Sequence, residues 1–182
     1  MAKRDILETL KLPSGVKAQY QEGILVLKGP KGEIQREFHD PRIVVEIEND
    51  IIKFTALKVT KREKTKLYTW RAHMRNMGKG VSQGHVYKLK ICSGHFPINV
   101  AITGNILSVK NFLGEKVPRV ITIPQKVTVK IDGEFVTVES SDKELAGQTA
   151  ASMEQLTRIT TRDLRIFQDG FYIIEKDGKE MK

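Results

Sequence analysis

Apolar and polar residues alternate over short stretches of this chain, a pattern typical of strands that bury one face of a sheet. In the first half, the pattern predicts strands at residues 16–21, 24–28, 33–38, 43–48 and 51–56. In the second half, it predicts strands at residues 86–91, 98–103, 106–110, 127–132, 135–140 and 171–175. Residues 177–182 have no such pattern and are predicted to be a frayed tail.

Residue pairs that tolerate a positive φ separate several of these strands. The pairs are Glu22-Gly23, Asn49-Asp50, Gly104-Asn105 and Asp132-Gly133. Two-residue connections of this composition favour tight hairpins. The sheets are therefore predicted to be antiparallel.

The two halves of the chain repeat each other. Residues 24–28 (Ile-Leu-Val-Leu-Lys) recur at 106–110 (Ile-Leu-Ser-Val-Lys), and residues 45–51 have a counterpart at 129–135. The spacing between matching positions stays nearly constant, which indicates an internal duplication.

Each half continues with a predicted helix. Thr60 with Glu63, and Ser141 with Glu144, have the spacing of a capping box. Apolar stripes at helical spacing follow, and we interpret both as core packing. The stripes are Leu67, Trp70, Met74, Met77 and Val81 in the first half, and Leu145, Thr149, Met153 and Leu156 in the second.

These elements predict an α+β fold of two tandem duplicated domains, each an antiparallel sheet with one helix packed on it. Three glycines between residues 78 and 84 are expected to end the first helix. The predicted domains are residues 1–82 and 83–182.

The positive charge is unevenly distributed. Residues 1–57 carry nine basic and nine acidic side chains, and residues 91–182 carry twelve of each. Residues 58–90 carry ten basic side chains against Glu63 alone, so they hold the whole net charge of +9. Such clustering favours a polyanionic partner. A solvated helix face beside a basic loop is the alternative interpretation.

The chain offers little that would support catalysis or a cofactor. Gly78-Lys79-Gly80 lacks the upstream glycine and the following Ser or Thr of a phosphate loop. A flexible segment approaching an RNA phosphate or a helix terminator fits it better. His85, Cys92 and His95 lack the spacing of a metal site. We therefore expect no enzyme activity, cofactor or metal.

The expected location is the cytoplasm. Cys92 is the only cysteine, so no disulfide can form within the chain. The first twelve residues resemble no signal peptide, and no apolar run is long enough to span a membrane.

Within the basic regions, several side chains are placed to contact phosphates. Lys64, Arg71 and Arg75 lie opposite the apolar stripe of the first helix, and Lys88 and Lys90 share the outward face of a strand. Residues 111–119 contain Gly114, Lys116 and Arg119, and Arg158, Arg162 and Arg165 follow the second helix. The three arginines exceed what a helix terminus needs.

Four segments resemble the family of universal protein number six of the large ribosomal subunit. They are residues 95–100 (His-Phe-Pro-Ile-Asn-Val), 111–119 (Asn-Phe-Leu-Gly-Glu-Lys-Val-Pro-Arg), 147–151 (Gly-Gln-Thr-Ala-Ala) and 165–172 (Arg-Ile-Phe-Gln-Asp-Gly-Phe-Tyr). The first two resemble the archaeal and eukaryotic branch. The bacterial branch has a Gly/Lys-rich run where this chain has residues 167–170 (Phe-Gln-Asp-Gly).

The resemblance implies a structural ribosomal protein with two duplicated α+β domains, a role in translation, and ribosomal RNA and neighbouring ribosomal proteins as partners. It also implies a place near the translation-factor binding region and the sarcin–ricin loop, with RNA held mainly by the second domain. No membrane and no small-molecule substrate are expected. Two alternatives stay open: an accessory RNA-binding subunit of an RNA-processing enzyme, and an adaptor that docks on an acidic protein.

Charge, spacing and resemblance together select twelve positions as candidate RNA contacts. They are Lys79, Lys88, Lys90, Lys110, Asn111, Gly114, Lys116, Arg119, Arg158, Arg162, Arg165 and Gly170. We expect the positions in the second domain to determine which RNA site is bound, and the cations of the first helix to add less specific attraction.

Overall fold

The computed structural model describes residues 4–48 and 50–181, without the side chains of Arg4 and Lys58. The chain divides into two compact units between Gly84 and His85, two residues after the predicted boundary. Each unit has a hydrophobic core of its own.

Within the described residues, the first unit contains six strands and one helix. The strands are β1 (Arg4–Lys11), β2 (Lys17–Gln21), β3 (Ile24–Gly29), β4 (Gly32–Glu37), β5 (Ile43–Glu48) and β6 (Ile51–Val59), and the helix is α1 (Lys61–Ser82). They form two antiparallel sheets, in the orders β1-β6-β5 and β2-β3-β4. The predicted stripe from Leu67 to Val81 is buried in the core that these sheets share.

The described part of the second unit contains eight strands, one α-helix and a short 3-10 helix at Phe112–Gly114. The strands are β7 (His85–Cys92), β8 (Asn99–Thr103), β9 (Ile106–Lys110), β10 (Arg119–Thr122), β11 (Val127–Asp132), β12 (Phe135–Ser140), β13 (Gly170–Lys176) and β14 (Lys179–Glu180), and the helix is α2 (Lys143–Leu156). The sheets have the orders β11-β12-β7-β13-β14 and β10-β9-β8. All their pairings are antiparallel.

The duplication extends to the hydrogen bonds. The order β5-β6-β1 repeats as β11-β12-β7, and β2-β3-β4 repeats as β8-β9-β10. The amide of Leu12 donates to the carbonyl of Asp50 at 2.8 Å, and the amide of Ile91 donates to Glu134 at the matching position at 2.7 Å. The predicted fold of two tandem α+β domains is confirmed, with a second small sheet in each unit.

Three strands were not predicted. β1 has Glu8 among its inward-facing residues and an exposed Leu7, which breaks the alternation. β10 has only four residues and follows a loop. β14 lies in the predicted frayed tail, where Lys179 and Glu180 pair with β13. That part of the tail is therefore ordered by a short hairpin.

The helix starts match the sequence in one unit only. At α1, the Glu63 carboxylate accepts the Thr60 amide at 2.9 Å and the Thr60 hydroxyl oxygen accepts the Glu63 amide, so the predicted capping box is present. The Thr60 hydroxyl also donates to the Glu63 carboxylate. At α2, the N-cap is Asp142 and not Ser141, because the Asp142 carboxylate accepts the Glu144 amide at 2.8 Å.

The segment around Lys79 is helical, so the expected helix terminator or flexible phosphate-approaching loop is wrong. Gly78 and Gly80 are both buried within α1. A Cβ at Gly78 would lie 3.2 Å from Cδ of Pro13, so the glycine allows close packing. The helix ends at Ser82, and Gly84 follows with a φ of +84°.

The predicted turns have mixed outcomes. Glu22 and Gly23 have φ values of +50° and +83°, as the hairpin requires, and Gly104 has a φ of +60°. The last hairpin turns at Gly133 and Glu134, because Asp132 pairs with Phe135. Asn49 of the Asn49-Asp50 turn lies outside the described residues.

No helix of the described residues is long and apolar enough to cross a membrane.

Candidate nucleic-acid interface

Three irregular segments of the second unit lie against one another: residues 93–98, 111–118 and 157–169. The side-chain amide of Asn111 donates to the Pro97 carbonyl at 3.1 Å. A Cβ at Gly114 would lie 3.6 Å from the ring of Phe96. These contacts and those of His95 with Asp169 and Phe167 join the three segments into one surface, which we call the loop surface.

The conformation of residues 111–114 explains why this loop has its composition. Asn111, Leu113 and Gly114 have φ values of +58°, +49° and +79°, a region that glycine and asparagine adopt more readily than other residues. The Phe112 ring is buried and anchors the turn. Lys116 is exposed, whereas Asn111 and Gly114 also have structural roles.

Arg119 holds the loop to the end of α2. Its guanidinium donates to Glu115 at 2.8 and 2.6 Å, and to the Leu156 carbonyl at 2.7 Å and the Arg158 carbonyl at 3.3 Å. It also lies 4.4 Å above the Phe112 ring. The hydrogen bonds from Arg119 lower the pKa of Glu115. The side chain thus has a structural role that sequence reasoning did not anticipate.

The buried carboxylate of Asp169 joins the last segment to the first. Its Oδ1 accepts the amides of Gly94 at 2.5 Å and His95 at 3.1 Å, and its Oδ2 lies 2.6 Å from Nδ1 of His95. Burial would raise the pKa of Asp169, but these hydrogen bonds and the nearby imidazole outweigh it, so the pKa lies below its ordinary value.

An aromatic column stands beside this carboxylate. The His95 and Phe167 rings stack with centroids 4.4 Å apart at 26°, and the Arg162 guanidinium lies 4.7 Å from the Phe167 centroid. Sequence reasoning selected Arg162 but treated His95 as structural and overlooked Phe167. No spacing rule could have found this stack, because its members meet only through the fold.

The remaining arginines differ in exposure and partners. Arg158 is exposed next to the end of α2. Arg165 is 89% exposed and makes hydrogen bonds to Asp163 at 2.7 to 3.2 Å, which raise the pKa of Arg165 and lower that of Asp163. A turn that begins at Asp163 therefore presents Arg165 to solvent.

Gly170 is buried at the start of β13, and the RNA contact predicted there stays a prediction. Its φ of +141° favours glycine, and a Cβ would lie 3.0 Å from the Thr157 hydroxyl. The Phe171 amide donates to that hydroxyl at 2.9 Å. Gly170 therefore allows the strand to pack against the end of α2, and we leave it out of the proposed interface.

Lys88 and Lys90 lie on the outward face of β7, as the alternation predicts. Lys88 forms an ion pair with Glu175 at 2.6 Å. Lys90 is exposed and pairs with Phe135 on one side and Tyr172 on the other, two aromatic residues that are 45% and 42% exposed. A cation between two exposed rings suits nucleobases as well as phosphates.

Two cavities adjoin these residues. One of about 560 Å³ is lined by Lys110 and Asn111, together with Pro97 and the loop at Glu134. The other, of about 920 Å³, is lined by Arg158 and Tyr172 among others. The second cavity therefore connects the loop surface with the outward face of β7.

The basic stretch in α1 is partly neutralised by acids from other elements. Lys66 forms an ion pair with Asp40, and Arg71 with Glu8 at 3.3 Å. Lys79 is half-buried in the last turn of α1 and belongs to the first unit, so it is not part of the loop surface. The net charge of residues 58–90 overstates the charge that this helix offers a ligand.

The described residues contain no group of three or more His, Cys, Asp or Glu side chains that could hold a metal ion. The three candidates from the sequence have other surroundings: His85 faces Asp177 at 3.0 Å, His95 is held by Asp169, and Cys92 is a free thiol.

Comparison with known proteins supports the duplicated architecture. The family model described as Ribosomal protein L6 matches the chain twice, at residues 12–84 and 96–170. The chain is similar to large ribosomal subunit protein uL6 of Methanococcus vannielii, with 42% identity over 96% of each chain. It is also similar to the uL6 proteins of Nanoarchaeum equitans, with 43% identity over 93% of each chain, and of Methanospirillum hungatei, with 41% identity over 91% of this chain and 94% of the relative.

The matches are nearly full-length and come from archaea, in agreement with the predicted branch. Together with the two family-model matches, which cover one copy in each unit, they establish the relationship. The chain belongs to the ribosomal protein L6 family.

Proposed function

We propose that this chain binds large-subunit ribosomal RNA near the translation-factor binding region, through the loop surface of its second unit. Family membership makes the chain a structural, non-enzymatic constituent of the ribosome. The names of its relatives support the large subunit as the assembly and neighbouring ribosomal proteins as further partners. The proposed location is the ribosome in the cytoplasm.

The observation that carries the RNA proposal is the convergence of three segments on one exposed, cationic and partly apolar surface. Its exposed cations include Lys116, Arg158 and Arg165, and Phe96, Val117, Leu164 and Ile166 are 42 to 77% exposed beside them. Cations bind phosphates, while exposed rings stack on unpaired bases, so the two together favour folded RNA with loops and bulges.

The arrangement also explains how a unit whose residues 91–182 carry as many acidic as basic side chains can bind a polyanion. Glu115 is held by Arg119, and Asp169 is buried against His95. Several acids of the loop surface are thus occupied by intramolecular hydrogen bonds, while Arg158 and Lys116 extend into solvent. Local geometry therefore creates a cationic surface that the net charge conceals.

The test compares two triple variants of the full chain with matched charge loss. Lys116→Ala/Arg158→Ala/Arg165→Ala changes the loop surface, and Arg62→Ala/Lys64→Ala/Arg75→Ala removes the same charge from the exposed side of α1. Both should weaken binding to bulk RNA. Only the first should abolish the preference for an rRNA fragment carrying the sarcin–ricin loop over an unrelated hairpin. Loss of that preference in the α1 variant alone would refute the proposed site.

Sedimentation separates the ribosomal assignment from the two alternatives. Tagged chain should sediment with large subunits from a cell extract. Sedimentation with a processing enzyme, or with an acidic protein in a complex that resists nuclease, would favour the accessory-subunit or adaptor alternative.

A further inference from the structure

The internal duplication shows that one strand of this fold has two different surroundings. In the second unit, β7 lies inside the sheet and pairs with β13, from Cys92 with Gly170 to Tyr87 with Lys176. In the first unit, the equivalent strand β1 is the edge of its sheet, in the part of the chain that the structure describes. The matching hydrogen bonds of the Leu12 and Ile91 amides establish this equivalence. From Ile6 onward, each residue of β1 corresponds to the residue 79 positions later in β7.

The inward side chains differ accordingly. On β7, His85 and Leu89 are fully buried. Their counterparts on β1, Ile6 and Leu10, pack against the core but are only partly buried. In the second unit, where β13 is present, these inward side chains of β7 are therefore fully buried. In the first unit, the equivalent side chains of β1 stay partly exposed.

The backbone of β1 presents donors along this edge. Amide directions alternate along an antiparallel strand, and the Leu12 amide donates to the carbonyl of Asp50, the residue directly before β6. The amides of Leu7, Thr9 and Lys11 therefore point away from β6. Their counterparts on β7 include those of Lys88 and Lys90, which face β13.

The side chains beside the edge indicate what kind of strand would fit. On α1, the Tyr68 hydroxyl donates to Glu8 at 3.2 Å, and Arg71 lies 3.3 Å from the same carboxylate. This pairing neutralises the inward-facing charge of Glu8, which would otherwise oppose an incoming strand.

Helix α2 gives the other half of the comparison. A Cβ at Gly147 of α2 would lie against the Tyr87 ring of β7, just as Tyr68 of α1 contacts Glu8 of β1. Gly147 lies 79 positions after Tyr68, and Tyr87 lies 79 positions after Glu8, so the helices correspond at the same spacing as the strands. At that spacing Arg75 occupies the place of Glu154, whose carboxylate accepts the Ile173 amide of β13 at 3.1 Å. A guanidinium can only donate, so a strand at β1 must bring an acceptor, for which a carboxylate is the best match.

We infer that the open edge of β1 is a docking site for an extended segment of a partner protein, whose inward face combines aliphatic side chains with one acidic side chain. The segment adds a fourth strand, its aliphatic side chains cover Ile6 and Leu10, and a carboxylate faces Arg75. The backbone of β1 supplies affinity, and α1 supplies selectivity. This inference goes beyond the RNA-binding proposal and does not depend on it.

The test uses the isolated full chain and a nine-residue acetylated peptide that has Thr at every second position and, on its other face, Val with one central Glu. At millimolar peptide, nuclear magnetic resonance should show shifts centred on the amides of Leu7, Thr9 and Lys11. Thr9→Pro removes one outward donor but no bond to β6, and binding should weaken at least about fivefold, as expected for one net hydrogen bond. Thr9→Val, which keeps the amide, should bind like the unchanged chain.

A charge reversal checks the selectivity. Arg75→Glu should lose the acidic peptide and gain a peptide in which Lys replaces Glu. Circular dichroism and thermal melting show that each variant is folded, and a misfolded Thr9→Pro chain leaves Arg75→Glu as the deciding variant. Absence of shifts at β1, equal binding by Arg75→Glu, or shifts of these amides with an rRNA fragment but not with the peptide would each overturn the inference.

Discussion

The carboxylate of Asp169 lies 2.6 Å from Nδ1 of His95 and also accepts the amides of Gly94 and His95. One buried side chain thus fixes the position of the loop after β7 relative to the segment before β13. The same His95 ring stacks on Phe167. The buried carboxylate of Asp169 therefore determines the geometry of the loop surface, although an RNA ligand would not need to contact it.

Asp169→Ala should destabilise the second unit strongly. The substitution leaves two backbone amides and an imidazole without their acceptor in a site where Asp169 is only 2% exposed. We expect a loss of about 3 kcal/mol in the free energy of unfolding, measured by urea denaturation. Asp163→Ala, at an exposed carboxylate, is the control and should cost less than about 1 kcal/mol. Equal losses in the two variants would contradict the role assigned to Asp169.

The capping box of α1 predicts a pH dependence. Hydrogen bonds from the Thr60 hydroxyl and amide lower the pKa of Glu63 from 4.5 to about 2. A depressed carboxyl pKa stabilises the folded state above the unfolded pKa, and this contribution is lost as the pH falls through the folded pKa. The stability advantage over Glu63→Gln should therefore be complete at ~pH 6 and shrink between ~pH 4.5 and ~pH 2. Denaturation at several pH values tests this, and an advantage that grows with acidity would contradict it.

Gly170→Ala should destabilise the chain through backbone strain and crowding. The φ of +141° lies in a region that only glycine adopts readily, and the new methyl group would lie 3.0 Å from the Thr157 hydroxyl. We expect a loss of about 1–3 kcal/mol in thermal or chemical unfolding. Gly94→Ala is the matched control, because its nearest neighbour would be 3.9 Å away and its φ is not in the left-handed region. Similar effects at both positions would show that the packing at Thr157 is not decisive.

Alanine substitutions at Arg119 and Arg165 should have different effects, the first mainly on the stability of the fold and the second mainly on RNA binding. Arg119 donates to Glu115 and to two carbonyl groups, so Arg119→Ala should lower the free energy of unfolding by about 1–2 kcal/mol. Arg165 is 89% exposed, so Arg165→Ala should change stability by less than about 0.5 kcal/mol but weaken RNA binding. Denaturation and RNA titration on both variants test the contrast, and the reverse pattern would refute the division of roles.

The duplicated topology could be predicted from the sequence because its signals are local. Alternating strands, the Glu22-Gly23 turn and the Thr60 capping box each depend on residues close together in the chain. The missed elements depend on distant partners. β14 has two residues and exists because β13 is beside it, and Asp142 and Ser141 are both good N-caps that composition cannot distinguish.

The candidate interface could be predicted only in part for the same reason. Exposed cations such as Lys116 and Arg165 are visible in the sequence, but their intramolecular partners are not. The sequence predicts Arg119 as an RNA contact, but only the fold shows that its guanidinium also donates to the end of α2. Conversely, His95 and Phe167 are 72 residues apart in the sequence and form a stack only after folding.

The affinity of the loop surface for RNA should depend on the salt concentration. If the loop surface binds phosphates, each contact releases counterions, and the logarithm of affinity falls with the logarithm of salt concentration by roughly 0.7 to 0.9 per contact. Removing Lys116, Arg158 and Arg165 should therefore reduce the magnitude of that slope by about 2 to 3. Removing Arg62, Lys64 and Arg75 should reduce it less for the rRNA fragment, because that side of α1 lies outside the loop surface. Titrations at several salt concentrations measure both slopes. A slope left unchanged by the loop-surface variant would mean that these side chains do not contact phosphates, even if affinity at one salt concentration had fallen.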